Sequence, residues 1–367
     1  MLNNVETPAK AIELAVVVPC FNERDNIPIL VEKLDAALRD IEWEVIFVDD
    51  DSPDGTAQAA RELAAIDRRV RCIQRIGRRG LSTAAVEGML ATSAPYLAVI
   101  DGDLQHDERL LPDMLRALKN ERLDLVVGSR YVKGGGLGEW DRGRAVMSTL
   151  ATRLARLVIH QPLSDPMSGF FAMTRPALER AVRSLSGQGF KILLDLFAST
   201  SEPYRFRELP YTFRDRVYGQ SKLDSFVVWE YLVLLIDKLV GWLIPVRLVM
   251  FAAVGVTGVL VHLVTLSLAL SVFDFATSQA IATATAIVSN FIINNFLTYH
   301  DRRLRGVKFF IGLLSFFAIC GIGAVANVGI ANAVFQQHYT WWLSALAGIA
   351  VGLIWNYAVS STLTWRG

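Results

Sequence analysis

Two aspartates one residue apart, Asp101 and Asp103, end the apolar run Tyr96-Leu97-Ala98-Val99-Ile100 and are followed by Gln105 and His106. Carboxylates at this spacing can converge on one hard divalent cation, which prefers oxygen ligands and can bridge them to a nucleotide diphosphate. The same pattern also fits two solvated turn aspartates. Asp49, Asp50 and Asp51 end a second strand-like run, Glu44 to Val48, and lead into the turn Ser52-Pro53-Asp54-Gly55-Thr56. Six arginines lie between Arg68 and Arg79, ahead of Gly80-Leu81-Ser82. They fit either a solvated face or a basic loop that meets a diphosphate or anionic head groups. Arg130 follows a further apolar run, Asp124 to Gly128, and precedes three consecutive glycines, Gly134 to Gly136. Arg144 and Ser148 share one face of a predicted helix, and Arg216 and Lys222 lie in a cationic loop from Phe213 to Lys222.

Strands and helices must position these groups. Leu14 to Pro19 reads as a buried strand with a helix after it from Ile27 to Leu38, then strand Glu44 to Val48. Strand Val70 to Gln74, helix Leu81 to Ala91 and the Asp101-bearing strand continue the alternation. That order predicts a doubly wound, mostly parallel, Rossmann-like α/β sheet, in which ligands bind beyond the carboxyl ends of the strands. Asp165-Pro166-Met167-Ser168-Gly169 is a tight turn ahead of a short strand, and a helix begins near Gly189-Phe190-Lys191.

The chain is 367 residues long and 52% hydrophobic, with a formal net charge of +1, so it carries no nucleic-acid-binding signature. Its apolar residues are unevenly spread. From Leu248 to Tyr299 the only Asp, Glu, Lys or Arg is Asp274, and Phe309 to Phe335 and Tyr339 to Trp365 carry no charge. These stretches predict an all-α domain of four membrane spans, about 248–273, 276–299, 309–335 and 340–365. Residues 1–222 then form the soluble domain and 248–367 the transmembrane domain. Between them, 223–247 fits amphipathic helices in the membrane interface or one more packed core helix. The loop Asp301 to Lys308 is the only basic one and should face the cytoplasm, and the N-terminus lacks a signal peptide. Both termini and the soluble domain are therefore expected on the cytoplasmic side. Cys20, Cys72 and Cys320 have no metal or disulfide spacing and read as packing residues.

The membrane portion repeats itself 66 positions on. Phe251, Gly255 and Val259 match Phe317, Gly321 and Val325, and Asn290, Leu297 and Thr298 match Asn356, Leu363 and Thr364. Gly255, Gly258, Gly321 and Gly323 are expected at close helix contacts. Asn290, Asn294, Asn295 and Asn356 are expected to find partners between helices or to line a polar path for a lipid head group.

The ordered series Pro19-x-Phe21-Asn22-Glu23, Asp49-Asp50-Asp51-Ser52-Pro53-Asp54-Gly55-Thr56, Gly80-Leu81-Ser82, Asp101-Gly102-Asp103-Leu104-Gln105-His106, Gly128-Ser129-Arg130-Tyr131, Asp165-Pro166-x-Ser168-Gly169-Phe170 and Gly219-x-Ser221-Lys222 resembles family-2 glycosyltransferases of the polyprenyl-phosphate-mannose synthase type. The four-span remainder resembles the GtrA-like membrane domain. The resemblance implies a GT-A fold for the soluble domain. It implies that Pro19, Phe21, Glu23, Asp50 and Asp51 hold a nucleotide base and ribose, that Gly102 also lines the nucleotide-sugar site, and that Asp101, Asp103 and Gln105 organise Mg2+ or Mn2+ on the donor diphosphate. Arg130, Arg144 and Ser148 would receive a lipid phosphate, with Asp103, Arg130 and Arg144 at the reacting centre, and Arg216 and Lys222 would close over the phosphates. Phe21 stands where tyrosine is more usual, and Gly102 where alanine is common. The implied reaction is inverting transfer of mannose from GDP-mannose to a polyprenyl phosphate at the lipid bilayer. A UDP-glucose donor is a rival, and so is a lipid-linked-sugar translocator whose soluble half only docks. A processive polysaccharide synthase is disfavoured, because its Gln-x-x-Arg-Trp signature is missing.

Overall fold

The computed structural model describes residues 11–136, 151–186, 191–214, 225–241 and 243–366. The chain divides into two compact units, Met1–Leu239 and Val240–Gly367.

The first unit is a seven-stranded sheet in the order β3-β2-β1-β4-β6-β5-β7. Its strands are β1 (Leu14–Cys20), β2 (Trp43–Asp49), β3 (Val70–Gln74), β4 (Tyr96–Val99), β5 (Leu125–Ser129), β6 (Phe171–Thr174) and β7 (Phe206–Pro210). β1 pairs in parallel with both β2 and β4, so the strand order reverses between them, which is where doubly wound sheets bind ligands. The expected mostly parallel sheet is present, with β6 running antiparallel between β4 and β5. Every residue of β1 and β2 is buried, because helices cover both faces. Alternation along β1 splits the core: Ala15 and Val17 pack with Met89, Leu97 and Phe171, while Leu14, Val16 and Val18 pack with Leu30, Leu34 and Phe47.

Helices α1 (Asn26–Ala37), α2 (Thr56–Ala64), α3 (Leu81–Leu90) and α4 (Leu111–Asn120) connect the first five strands. α5 (Arg175–Ala181) and α6 (Ile192–Ser199) follow β6. β7 has no counterpart in the sequence reading, since the edge segment Phe-Arg-Glu-Leu-Pro lacks an apolar run. α7 (Ser225–Val240) buries Tyr231, Leu234 and Leu235 in the core shared with Leu97 and Phe171. Lys238 on α7 also forms a 2.6 Å ion pair with the fully buried Asp195 of α6. The stretch between sheet and spans is therefore a helix packed on the first unit, with Val228, Leu232 and Leu239 left exposed.

The second unit contains four helices long and apolar enough to cross a membrane: α8 (Val246–Ala269), α9 (Phe275–Ile293, continued to Thr298 by a π turn), α10 (Val307–Gln336) and α11 (Trp341–Leu363). Their outward faces are apolar and exposed, as lipid requires. The sequence repeat has a physical expression. Tyr299 and Trp365, 66 positions apart, stack face to face at 4.2 Å over a core of Phe251, Phe291 and Phe316. The Asn290 amide packs against Gly258 and the Asn356 amide against Gly323, leaving no room for a Cβ. Gly255 and Gly321 meet nothing within 4 Å, so only two of the four glycines expected at close contacts are used in that way. Asn294 accepts from Thr298 at 2.7 Å, and Asn295 bonds Leu304 and the Trp365 indole. The side-chain Oδ1 atoms of Asn290 and Asn356 are buried without a hydrogen-bond partner among the described residues.

Candidate functional site

The three strand-end loops that meet at the sheet's carboxyl edge each contain a non-glycine residue in the left-handed region: Asn22 after β1 (φ 56°), Asp51 after β2 (φ 57°) and Leu104 after β4 (φ 63°). Such a conformation costs about 1–2 kcal/mol for an ordinary residue, and it recurs where a loop must present groups rather than relax. Loops one and three touch: a Cβ on Gly102 would lie 3.4 Å from Cys20 Sγ and 3.6 Å from Glu23 Cγ.

Asp101 and Asp103 lie where the sequence places them. His106 is hydrogen-bonded through Nε2 to Asp101 Oδ2 at 3.0 Å and through Nδ1 to the Tyr211 hydroxyl at 2.8 Å. Burial pushes the Tyr211 hydroxyl pKa up, which keeps it a donor. Burial also opposes ionisation of Asp101, but the His106 bond and the nearby charges of Lys191 and Arg130 hold its carboxyl below the ordinary value. Its second oxygen, Oδ1, is buried with no hydrogen-bond partner among the described residues. Asp103 is 7% exposed and accepts the Gln105 amide at 3.2 Å. The Gln105 side chain donates to Arg214 O at 3.0 Å, while Arg214 N donates to Gln105 O at 2.9 Å.

Among the described residues no three acidic, histidine or cysteine side chains form a closed cation cage. Two carboxylates at a loop, one with an orphaned buried oxygen, instead fit a Mg2+- or Mn2+-type ion, which usually takes one or two carboxylates and completes its shell with phosphate oxygens and water.

The neighbouring acidic cluster is mostly committed to structure. Both Asp50 oxygens are used, by Gly80 N at 2.7 Å and by Arg75 Nη1 at 2.8 Å, so this carboxylate anchors the arginine-rich segment. Asp49 holds Ser52, and Asp54 accepts from Arg24 N and from Thr56. Asp51 accepts from Gln74 at 2.7 Å, and Glu23 accepts from Asn26 at 2.7 Å. The six arginines do not share one role. Arg75 is 2% exposed; Arg69, Arg71 and Arg78 pair with Asp67, Glu44 and Glu87; Arg79 lies 4.4 Å over the Phe21 ring. Pro19 ends the buried run of β1.

Arg130 is the buried cation of the site, with its Nε and Nη2 donating to Asp165 at 2.8 and 2.7 Å and its main-chain N–H at 3.1 Å. The turn carrying Asp165 is itself a hub. Its backbone is fixed by Glu208 of β7 at 3.0 and 3.2 Å, Ser168 Oγ donates to Gly128 O at 2.7 Å, and a Cβ at Gly169 would lie 2.6 Å from Asp101 Oδ2. Lys191 Nζ reaches Met167 O of the same turn at 3.4 Å. Burial, then repulsion from Arg130, pulls its ammonium pKa below the ordinary lysine value. Asp101, Arg130 and Lys191 are thus brought to one corner by five residues of turn. Arg144, Ser148, Arg216 and Lys222 lie outside the described residues.

Sequence reasoning left Lys191, Tyr211, Glu208 and the roles of His106 and Asp165 unassigned. The Asp165-Pro166-x-Ser168-Gly169 pattern was the available signal for two of these; nothing marks Tyr211 or Glu208 beforehand.

Residues 15–181 match the glycosyl transferase family 2 model, and 250–365 match the GtrA/DPMS transmembrane domain. A dolichol-phosphate mannosyltransferase of Pyrococcus furiosus is 33% identical over 360 residues, 96% of this chain and 99% of that protein. The protein of the same name in Saccharomyces cerevisiae is 38% identical over 234 residues, 60% of this chain and 85% of that one. Among solved structures, glucosyl-3-phosphoglycerate synthase from Mycobacterium tuberculosis, in complex with Mn2+ and UDP-glucose, superposes with a TM-score of 0.44 at 20% identity, over 62% of this chain and 79% of that one.

Proposed function

The chain belongs to the family-2 glycosyltransferases that carry a GtrA/DPMS transmembrane domain, it is an integral membrane polyprenyl-phosphate glycosyltransferase, and from that premise we propose that it transfers mannose from GDP-mannose to a polyprenyl phosphate with inversion. The observation that carries the reading is the shared corner in which one turn packs against Asp101 through Gly169 and grips Arg130 through Asp165. It puts a carboxylate suited to a diphosphate-bound cation beside a cation suited to a phosphate monoester. The names borne by the relatives support mannose as the sugar.

A phosphate monoester carries about 1.5–2 negative charges at neutral pH, so it is a nucleophile without a general base. One of its oxygens forms the new bond to the anomeric carbon as the bond from that carbon to the nucleoside diphosphate breaks; no proton need move. Attack from the face opposite the leaving group turns an α-linked donor into a β-linked product. The residues' task is positioning and charge. Arg130, oriented by Asp165, faces the lipid phosphate, and Arg144 and Ser148 join it there. Asp101 and Asp103, with Gln105, hold Mg2+ or Mn2+, which when bound neutralises charge on the departing diphosphate. Pro19, Phe21, Glu23, Asp50 and Asp51 surround base and ribose, Asp50 acting through Arg75 and the Gly80 loop, and Arg216 and Lys222 approach the phosphates. The catalytic unit and both termini face the cytoplasm, following the basic Asp301–Lys308 loop.

The test is transfer to a fluorescent polyprenyl phosphate from GDP-mannose, UDP-glucose or UDP-N-acetylglucosamine, with Mg2+ or chelator. The expected result is chelator-sensitive, β-linked product from GDP-mannose alone. Product from a UDP sugar instead overturns the donor.

A further inference from the structure

Lys191 breaks two local rules at once. It occupies the N-cap of α6, makes no capping bond there, and places a cation at the positive end of the helix dipole. Nothing in helix energetics favours it. Its long side chain turns inward, yet among the described residues its only polar contact is the 3.4 Å approach to Met167 O, and it forms no ion pair. A partly desolvated ammonium with one long hydrogen bond is costly unless an anion completes it.

The surroundings indicate which anion. Asp101, Arg130 and Lys191 all meet the turn from Asp165 to Gly169, through Gly169, Asp165 and Met167 respectively. Arg130 is already neutralised by the bidentate bonds of Asp165, and Asp101 gives one oxygen to His106. Among the described residues, Lys191 is the cation in this corner without a dedicated carboxylate. It reaches the same turn that packs against Asp101 through Gly169 and grips Arg130 through Asp165.

We propose, on the reading of the site given above, that Lys191 is a catalytic residue whose ammonium donates to a phosphate oxygen at the reacting centre. That oxygen belongs either to the acceptor monophosphate or to the donor diphosphate. As a compact point charge, lysine can follow a phosphate oxygen without the fixed fork that Arg130 spends on Asp165.

The test uses full-length protein in detergent, as wild type, Lys191→Met and Lys191→Arg. Equilibrium binding of GDP and of a short-chain prenyl monophosphate is measured with Mg2+ and with chelator, alongside the thermal unfolding midpoint. Lys191→Met is expected to weaken one of the two ligands about tenfold or more and to leave the other within about twofold. Loss in the prenyl monophosphate arm identifies the acceptor as the source, and loss in the GDP arm identifies the donor. Lys191→Arg should recover most of the affinity because it keeps the charge, and the unfolding midpoint should not move, since the single carbonyl contact contributes little. Unchanged affinity for both ligands overturns the proposal, and so does an equal loss of both with a lowered midpoint, which would mark a structural lysine. Turnover of wild type with GDP-mannose is followed separately: its failure would remove the donor assignment while the binding arms still judge Lys191.

Discussion

At the scale of single residues, two glycines beside the same carboxylate should respond in opposite ways to one added methyl group. At Gly102 a Cβ would meet Cys20 Sγ and Val18 Cγ1 at 3.4 Å, ordinary packing, so Gly102→Ala is expected to keep transfer within about twofold. At Gly169 the Cβ would press on both Asp101 oxygens, at 2.6 and 2.9 Å. A displaced carboxylate misplaces whatever it binds, and Gly169→Ala should lower transfer at least tenfold, roughly the cost of an ångström of misalignment, with little loss of thermal stability. Steady-state transfer and melting of both variants check the contrast. Asp103→Asn keeps the shape of the loop and removes one charge. Transfer should fall about 100-fold or more, in the range for losing an electrostatic group at a reacting centre, and wild-type rates in that variant would end the metal role of the pair.

At the scale of elements, β7 shows how an edge strand can organise a site. It carries Glu208, which fixes the Asp165 turn, and leads to Tyr211, which orients His106 behind Asp101. Its own docking depends on Asp124 at the start of β5. That carboxylate accepts from Arg205 N at 2.9 Å and pairs with Arg180 at 3.0 Å. Burial opposes its ionisation, but the Arg205 amide and Arg180 outweigh it and lower its pKa from the ordinary 3.8. A depressed carboxyl contributes stability that is present above 3.8 and lost as pH falls through the lower folded value. Asp124→Asn should therefore cost about 1–2 kcal/mol at neutral pH, and the difference should shrink as pH falls below the ordinary 3.8. Thermal unfolding in detergent from pH 7 down to pH 2 measures this; a constant difference across the range would mean that the charge is not responsible.

At the scale of the whole molecule, the membrane unit is two hairpins in which equivalent residues meet. Stacking of Tyr299 on Trp365, and an asparagine amide seated on a glycine within each hairpin, replace the hydrophobic drive that lipid cannot supply. The proposed orientation makes the loops distinguishable from outside the cell. A cysteine at His338, beyond α10, should react with a membrane-impermeant maleimide in intact cells, whereas one at Arg305 should react only after the membrane is opened. The reverse pattern would invert the topology and put the catalytic unit on the other side.

The sequence by itself determined the α/β alternation, the four spans, the repeat and the positions of Asp101, Asp103 and Arg130, because each is written in local terms: apolar runs, their period, and polar residues where a run stops. Phe21 and Asp50 were legible as residues at the ends of strands on the sheet's carboxyl edge, yet not as partners of Arg79 and Arg75. The tertiary structure alone decided what depends on pairing across distance. β6 runs antiparallel because its register with β4 and β5 fixes its direction, and no feature of Phe171 to Thr174 encodes that. The partner of Asp101 comes from position 106 and that of His106 from 211, the partner of Arg130 comes from 165, and Lys191 joins them from the cap of a helix. Side chains far apart in the chain acquire a common environment only when the sheet closes, and a site made of charges takes its properties from that environment.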